Sequence, residues 1–193
     1  MRHGETTWNR ENRVQGRSDT PLSETGITQA ERLAGSMEGE RIDLIVSSPL
    51  RRAAETASII NRHIGAPVEL DEDLMELDQG IFEGMSFQEL SRDHGEFLKR
   101  WAADPASVIM PGGESLSALQ ERAWGAVCRI TSSCDCALAV SHNFTITAIL
   151  CKILEIPLSD FRRIRLENAS KTIIEVGEGT FRATVINDTA HLE

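Results

Sequence analysis

The chain has 193 residues and a mass of 21.3 kDa, with 30 acidic against 20 basic side chains, a formal net charge of -10 and a pI near 5.0. So anionic a surface excludes extended contact with a nucleic-acid backbone or an anionic membrane, so any anionic ligand must be small and held by a local arginine cluster. The 40% hydrophobic content is that of an ordinary folded domain, and no apolar run reaches membrane-spanning length; the expectation is one cytoplasmic domain over residues 1–193.

Met1-Arg2-His3-Gly4-Glu5-Thr6-Thr7-Trp8-Asn9 opens the chain. Arg2 offers a planar fork of donors matched to phosphate, and a neutral imidazole at His3 is a nucleophile near pH 7. Gly4 is read as leaving room for an anion at the main chain. Residues 13–23 are polar and broken by Gly16 and Pro21, which predicts a loop returning over the opening motif. Ile27, Ala30, Leu33, Ala34 and Met37 fall at helical spacing, predicting a helix from about Thr25 to Gly39.

Asp43 to Ser47 is a β-branched apolar run suited to a parallel sheet covered on both faces. Pro49 then opens a helix to about His63, with Arg51 and Arg52 in its first turn, near the sheet edge where open α/β sheets bind ligands. Val68 to Leu70 is the next expected strand, followed by an aperiodic loop bearing Glu76 and Glu83. Ser86 to Trp101 predicts one or two short helices with Phe87, Leu90, Phe97, Leu98 and Trp101 inward, and Ser115 caps a longer helix to about Ile130. Residues 86–130 are thus expected to be a small helical insert over the site.

Cys136 to Ser141 is a strongly apolar strand that delivers His142 to its C-terminal end before a helix from Phe144 to Leu154. Strands are expected near Arg163–Leu166, Lys171–Val176 and Phe181–Ile186, the last two as a hairpin around Gly177-Glu178-Gly179. The whole reads as a three-layer α/β/α sandwich with a mostly parallel sheet. Cys128, Cys134, Cys136 and Cys151 lack zinc-ribbon spacing and suit reduced thiols; Cys134 and Cys136 read as the entry to a buried strand.

Arg2, His3, one of Arg51 and Arg52, and His142 would meet at the carboxyl edge of one sheet and grip a dianionic phosphoryl group. A metal held by two His and a Glu is the competing reading. It is disfavoured because the arginines would repel a cation and no His pair has short helical spacing. His63, His94 and His191 are given no role.

Four separated motifs resemble the histidine phosphatase superfamily: the opening nine residues, Ser47-Ser48-Pro49-Leu50-Arg51-Arg52-Ala53 with Thr56, Leu74-Met75-Glu76 to Gly80 with Glu83-Gly84, and Val140-Ser141-His142. The resemblance implies that His3 becomes a phosphohistidine, that Arg2, Arg52 and His142 clamp the phosphate, and that Glu76 is the general acid and then base. It prefers Arg52 to Arg51 because the family places the arginine directly before the Ala. Asn9 and Gln15 match pocket-lining positions, and Glu83 a structural acid. Asn143 stands where the family usually has Gly, its N-H still able to meet a phosphate oxygen while its side chain narrows the approach.

The implied activity is metal-independent, cofactor-free hydrolysis of a small phosphorylated substrate, with a phosphoglycerate mutase and a silent binding module as the rivals; a homodimer is left open. The chain is shorter than the mutases it resembles, which counts against that rival. In such proteins the nucleophile ends a central strand of about five to seven residues, whereas only Met1 and Arg2 precede His3. The expectation is therefore that the native chain starts upstream of Met1 and that His3 is loosely held in this form.

Overall fold

Polar caps start the first two helices of the protein, whose computed structural model describes residues 1–177 and 179–193. Thr6 and Asn9 form a reciprocal capping box on the short α1 (Thr7–Arg10), a turn not foreseen, and Ser23 caps α2 (Glu24–Gly35). β1 (Leu44–Ser47) feeds α3 (Arg51–Ile64), which ends at a left-handed Gly65. There follow β2 (Val68–Leu70), α4 (Phe87–Asp93), α5 (Gly95–Ala103), α6 (Leu116–Ser133), β3 (Ala137–Val140) and α7 (Asn143–Ile153). A hairpin of β4 (Lys171–Gly177) and β5 (Thr180–Asp188) closes the chain. Of its expected turn, Glu178 lies outside the described residues.

β2, β1 and β3 form a parallel sheet in that order, and the two-residue pleat sorts its side chains between layers. Ile45, Leu138 and Val140 pack with Leu33 and Ala34 of α2 and Ala53, Ala57 and Ile60 of α3. Leu44, Val46, Ala137 and Ala139 pack on the opposite side with Ala126 and Ile130 of α6. These are the three layers of an α/β/α sandwich, with the hairpin as a separate antiparallel pair.

Met1 to His3 occupy a strand position beside β3. Ser141 N-H donates to Met1 O at 2.9 Å, His3 N-H to Ser141 O at 3.0 Å, and Ala169 N-H to His3 O at 3.0 Å. His3 is thus paired on both sides, contrary to the expectation that it would be loosely held.

Several expectations need correction. No strand forms near Arg163–Leu166: Leu158–Arg163 is a 3-10 helix, Leu166 is buried with Ile146 and Leu150, and its carbonyl accepts from the Arg2 side chain instead of a ladder partner. Phe87, the first residue of α4 after the Ser86–Glu89 capping box, is 62% exposed, whereas Leu90 is buried as expected. Ile27 is likewise exposed. Cys136 is exposed and precedes β3; Cys151 is the buried thiol. Within the stretch 86–130, α6 is a sheet-covering layer, so only α4 and α5 stand apart. They are anchored through Phe97 and Trp101 to Phe82, Phe144 and Phe161.

Candidate active site

The edge of the sheet gathers side chains that are far apart in the chain. His3 and His142 are both buried, with ring centroids 5.1 Å apart. His3 Nδ1 lies 2.7 Å from Gly4 O, so it carries the ring hydrogen and leaves Nε2 with a bare lone pair. Burial first, then the charges of Arg52 and Arg2, holds the ring unprotonated well below the usual imidazole range. Gly4 has a different use from the one expected: a Cβ there would sit 2.5 Å from Gly26 O, so the glycine lets α2 pack against the opening motif.

His142 follows β3 and stands at the N-cap of α7. Its Nε2 lies 2.7 Å from Ser48 Oγ, which accepts the Leu50 N-H at 3.3 Å. The Ser48 proton can then go to Nε2, placing the ring hydrogen on Nδ1, a buried atom with no protein partner. Burial, then Arg52, keeps this ring unprotonated too.

Both imidazoles therefore link stability to pH. Below about pH 6.5 an unfolded chain protonates these rings and the folded chain does not. Their contribution is complete above that pH and is lost as pH falls toward the depressed folded values, by at most about 1.4 kcal/mol per pH unit per ring. In phosphate-free buffer the thermal midpoint should fall between pH 7 and 5.5, and less steeply in His142→Gln. An unchanged slope in the variant would show that the ring titrates alike in both states.

Arg52 is 1% exposed, and its Nη1 and Nη2 donate to Ser18 O at 2.8 Å and Gly16 O at 2.7 Å. Arg2 donates from Nη1 to Leu166 O. The Nε of each is buried without a partner, like His142 Nδ1. Burial lowers Arg2 and pushes Arg52 down to about 10, with Glu76 opposing the shift in both; a guanidinium remains a cation in a protein at neutral pH. Arg51 instead lies on the surface and pairs with Glu55 at 2.8 Å.

The 16–18 loop is held from its other side by Glu83, whose Oε1 accepts Arg17 N-H at 2.7 Å and Oε2 the Ser18 hydroxyl at 2.6 Å. Gly16, at φ +51°, allows this contact, since a Cβ would fall 2.0 Å from Glu83 Oε1.

Glu76, on the loop after β2, is buried with its carboxylate against the N-terminus of α7. Its carboxylate accepts from Phe144 N-H and Thr145 N-H, both at 3.3 Å, and from its neighbour Leu77 N-H at 2.9 Å. The positive end of the helix thus faces the carboxylate. Asn9 Oδ1 caps α1 and Gln15 Oε1 accepts the Thr20 hydroxyl at 2.8 Å, which leaves their amide NH2 groups as the free donors. Asn143 is half-buried in the first turn of α7. Sequence pattern missed Ser48, Thr145 and Asn168, whose Nδ2 lies 3.3 Å from both His3 O and Asn9 Oδ1. Ser48 sat inside a noticed motif; Asn168 carried no local signal.

The donor set suits a phosphoryl dianion better than a cation, because two guanidiniums flank the imidazoles. Comparison with known proteins points the same way. A sequence model described as the histidine phosphatase superfamily (branch 1) matches residues 1–189. The chain is 34% identical to phosphoserine phosphatase 1 of Hydrogenobacter thermophilus over 194 residues, covering 100% of this chain and 92% of that protein. It is also 34% identical to a probable phosphoglycerate mutase, GpmB, of Yersinia pestis, covering 100% of this chain and 93% of the other. The solved structure of YhfR from Bacillus stearothermophilus is similar at 33% identity and a TM-score of 0.94, over 100% of this chain and 96% of that one.

Proposed function

Because the chain belongs to the histidine phosphatase superfamily, we propose that it is a phosphoric monoester hydrolase that cleaves a small phosphorylated metabolite through a phosphohistidine at His3, without a metal. The observation that carries this reading is the bare His3 Nε2 beside Arg2, Arg52 and His142, three side chains that each keep a buried, unpartnered N-H.

In this reading the phosphoryl group binds the Arg2 and Arg52 Nε-H groups and His142 Nδ1-H, with the amides of Asn9, Gln15 and Asn143 around it. His3 Nε2 attacks phosphorus as the bond to the ester oxygen breaks, and the clamp stabilises charge on the equatorial oxygens. Glu76 gives a proton to the leaving alkoxide as general acid. The resulting carboxylate takes a proton from water, whose oxygen attacks phosphorus and breaks the P–N bond. Inorganic phosphate leaves and His3 returns neutral.

Glu76→Gln should slow hydrolysis of an alkyl phosphate by about 10²-fold or more, the usual worth of general acid catalysis. p-Nitrophenyl phosphate, whose leaving group hardly needs a proton, should be slowed far less in the phosphoryl-transfer step. Equal slowing in single-turnover measurements would remove Glu76 from the acid role. EDTA should leave both rates unchanged.

The mutase reading keeps support from the Yersinia relative, and chain length does not separate the two, since that relative is covered over 93% of its own length. Product analysis does. With 3-phosphoglycerate and a trace of 2,3-bisphosphoglycerate, we expect free phosphate or no reaction; rapid formation of 2-phosphoglycerate would favour the mutase. The complete set of His3, Arg52, Glu76 and His142 argues against a silent module. Among the described residues no helix is long and apolar enough to cross a membrane. The four free thiols suit a reducing cytoplasm.

A further inference from the structure

Arg122 lies on α6, outside every motif noticed in the sequence, yet all five of its N-H donors are spent on or beside the loop that carries Glu76. Nη1 donates to Asp73 O and Met75 O, both at 2.8 Å, and Nη2 to Glu76 O at 2.9 Å. The remaining two bonds go to Glu114, from Nη2 to Oε1 at 2.5 Å and from Nε to Oε2 at 3.1 Å. Glu114 ties down the far end of the same loop: its Oε1 accepts Asp78 N-H at 2.9 Å and its N-H donates to Asp78 O at 3.0 Å. Both side chains are largely buried.

The loop needs such a partner. Between the 3-10 turns Glu72–Leu74 and Gly80–Phe82 it has no ladder of its own, and its carbonyls must find donors inside the protein. A guanidinium is the side chain that can serve three carbonyls and a carboxylate at once in one rigid plane. The Glu76 carboxylate is then held separately, by the N-terminus of α7. Backbone and side chain of Glu76 are thus positioned by two different helices.

We propose that the Arg122–Glu114 pair is a brace that holds Glu76 at proton-transfer distance from the leaving oxygen, making Arg122 a positioning residue for the acid step. This rests on the reading of Glu76 as the general acid. A displacement of the loop would spoil proton transfer while leaving the phosphate clamp of Arg2, Arg52 and His142 in place, because Arg122 bonds to none of them.

The test compares the protein, Glu76→Gln, Arg122→Lys and Glu114→Gln on an alkyl phosphate and on p-nitrophenyl phosphate, by single-turnover rate and by KM. Arg122→Lys keeps the charge but has three donors in place of five. The expected result is a loss of roughly 10-fold or more on the alkyl ester, below the full general-acid contribution. The loss on p-nitrophenyl phosphate should be under about threefold by the same reasoning, with KM for both esters nearly unchanged. The Glu76→Gln/Arg122→Lys double variant should be no more selective than Glu76→Gln alone. If Arg122→Lys does not fold, Glu114→Gln, which keeps the three carbonyl bonds, should show the same selectivity at smaller amplitude. Selective loss in Glu76→Gln with equal slowing of both esters in the folded brace variants would overturn the brace. Unselective loss in Glu76→Gln would instead overturn the acid assignment on which it rests.

Discussion

His3→Ala should reduce phosphate release from p-nitrophenyl phosphate by on the order of 10⁴-fold or more, the scale on which loss of a covalent nucleophile acts. The ring is buried, its Nδ1 is committed to Gly4 O, and the only nitrogen left to bond phosphorus is Nε2. The backbone of residue 3 is held between Ser141 and Ala169, and its side chain supplies none of those bonds, so the variant should fold with its strand pairing intact. Rapid quenching with a radiolabelled substrate should trap a protein-bound label that survives alkali and is lost in acid, as a phosphoramidate is. The label should be absent from His3→Ala. A folded His3→Ala that retains more than a tenth of the activity, or a label found on another residue, would remove the phosphohistidine from the mechanism.

Adjacent arginines provide the second large contrast. Arg52→Ala should lower kcat/KM by about 10²–10³-fold, the cost of deleting one preorganised donor to transferring charge. It should also lower stability, by about 2–4 kcal/mol, because Gly16 O and Ser18 O would each lose a charged donor in the interior. Arg51→Ala should change stability by no more than about 1 kcal/mol, since it removes only an exposed ion pair with Glu55. Its backbone N-H, which donates to Asp19 Oδ1 at 2.7 Å, is untouched by the substitution. Arg52→Lys separates the two losses: it keeps a cation but cannot span both carbonyls and still present a donor to phosphate. Thermal melts and steady-state kinetics on the four proteins would settle the choice, and equal losses at positions 51 and 52 would mean that the wrong arginine was assigned to the phosphate.

Most strands and helices were legible in the chain because their signals are local. Leu44 to Ser47 and Ala137 to Val140 are apolar runs of strand length, and the α3 and α6 patterns repeat at 3.6 residues, so backbone geometry alone translates them into elements. Arg2 with His3 and Ser141 with His142 lie at strand ends, and Arg52 lies in the first turn of the helix that follows β1, which is enough to predict that they meet at one sheet edge. Local pattern failed where a side chain's partner is distant in sequence. Arg163–Leu166 alternates like a strand, but the Leu166 carbonyl is taken by Arg2, 164 residues away. Phe87 and Leu90 are both apolar and, three residues apart, share a helix face, yet Phe87 at the first position of α4 is exposed and Leu90 is buried, which only the surrounding fold decides.

Within the site, the sequence by itself determined which chemical groups are available: two imidazoles, two guanidiniums and a carboxyl. Tertiary structure decided their states and their supports. That His3 is neutral with Nε2 bare follows from burial, from Arg52, and from the Gly4 carbonyl; the loop that carries Glu76 is held by Arg122 and Glu114, which no spacing rule connects to Glu76. The physical reason is the same in each case. A residue's type is written at its own position, but its protonation and the partners of its buried polar atoms depend on whatever the fold brings within a few ångströms, and those neighbours lie on other elements.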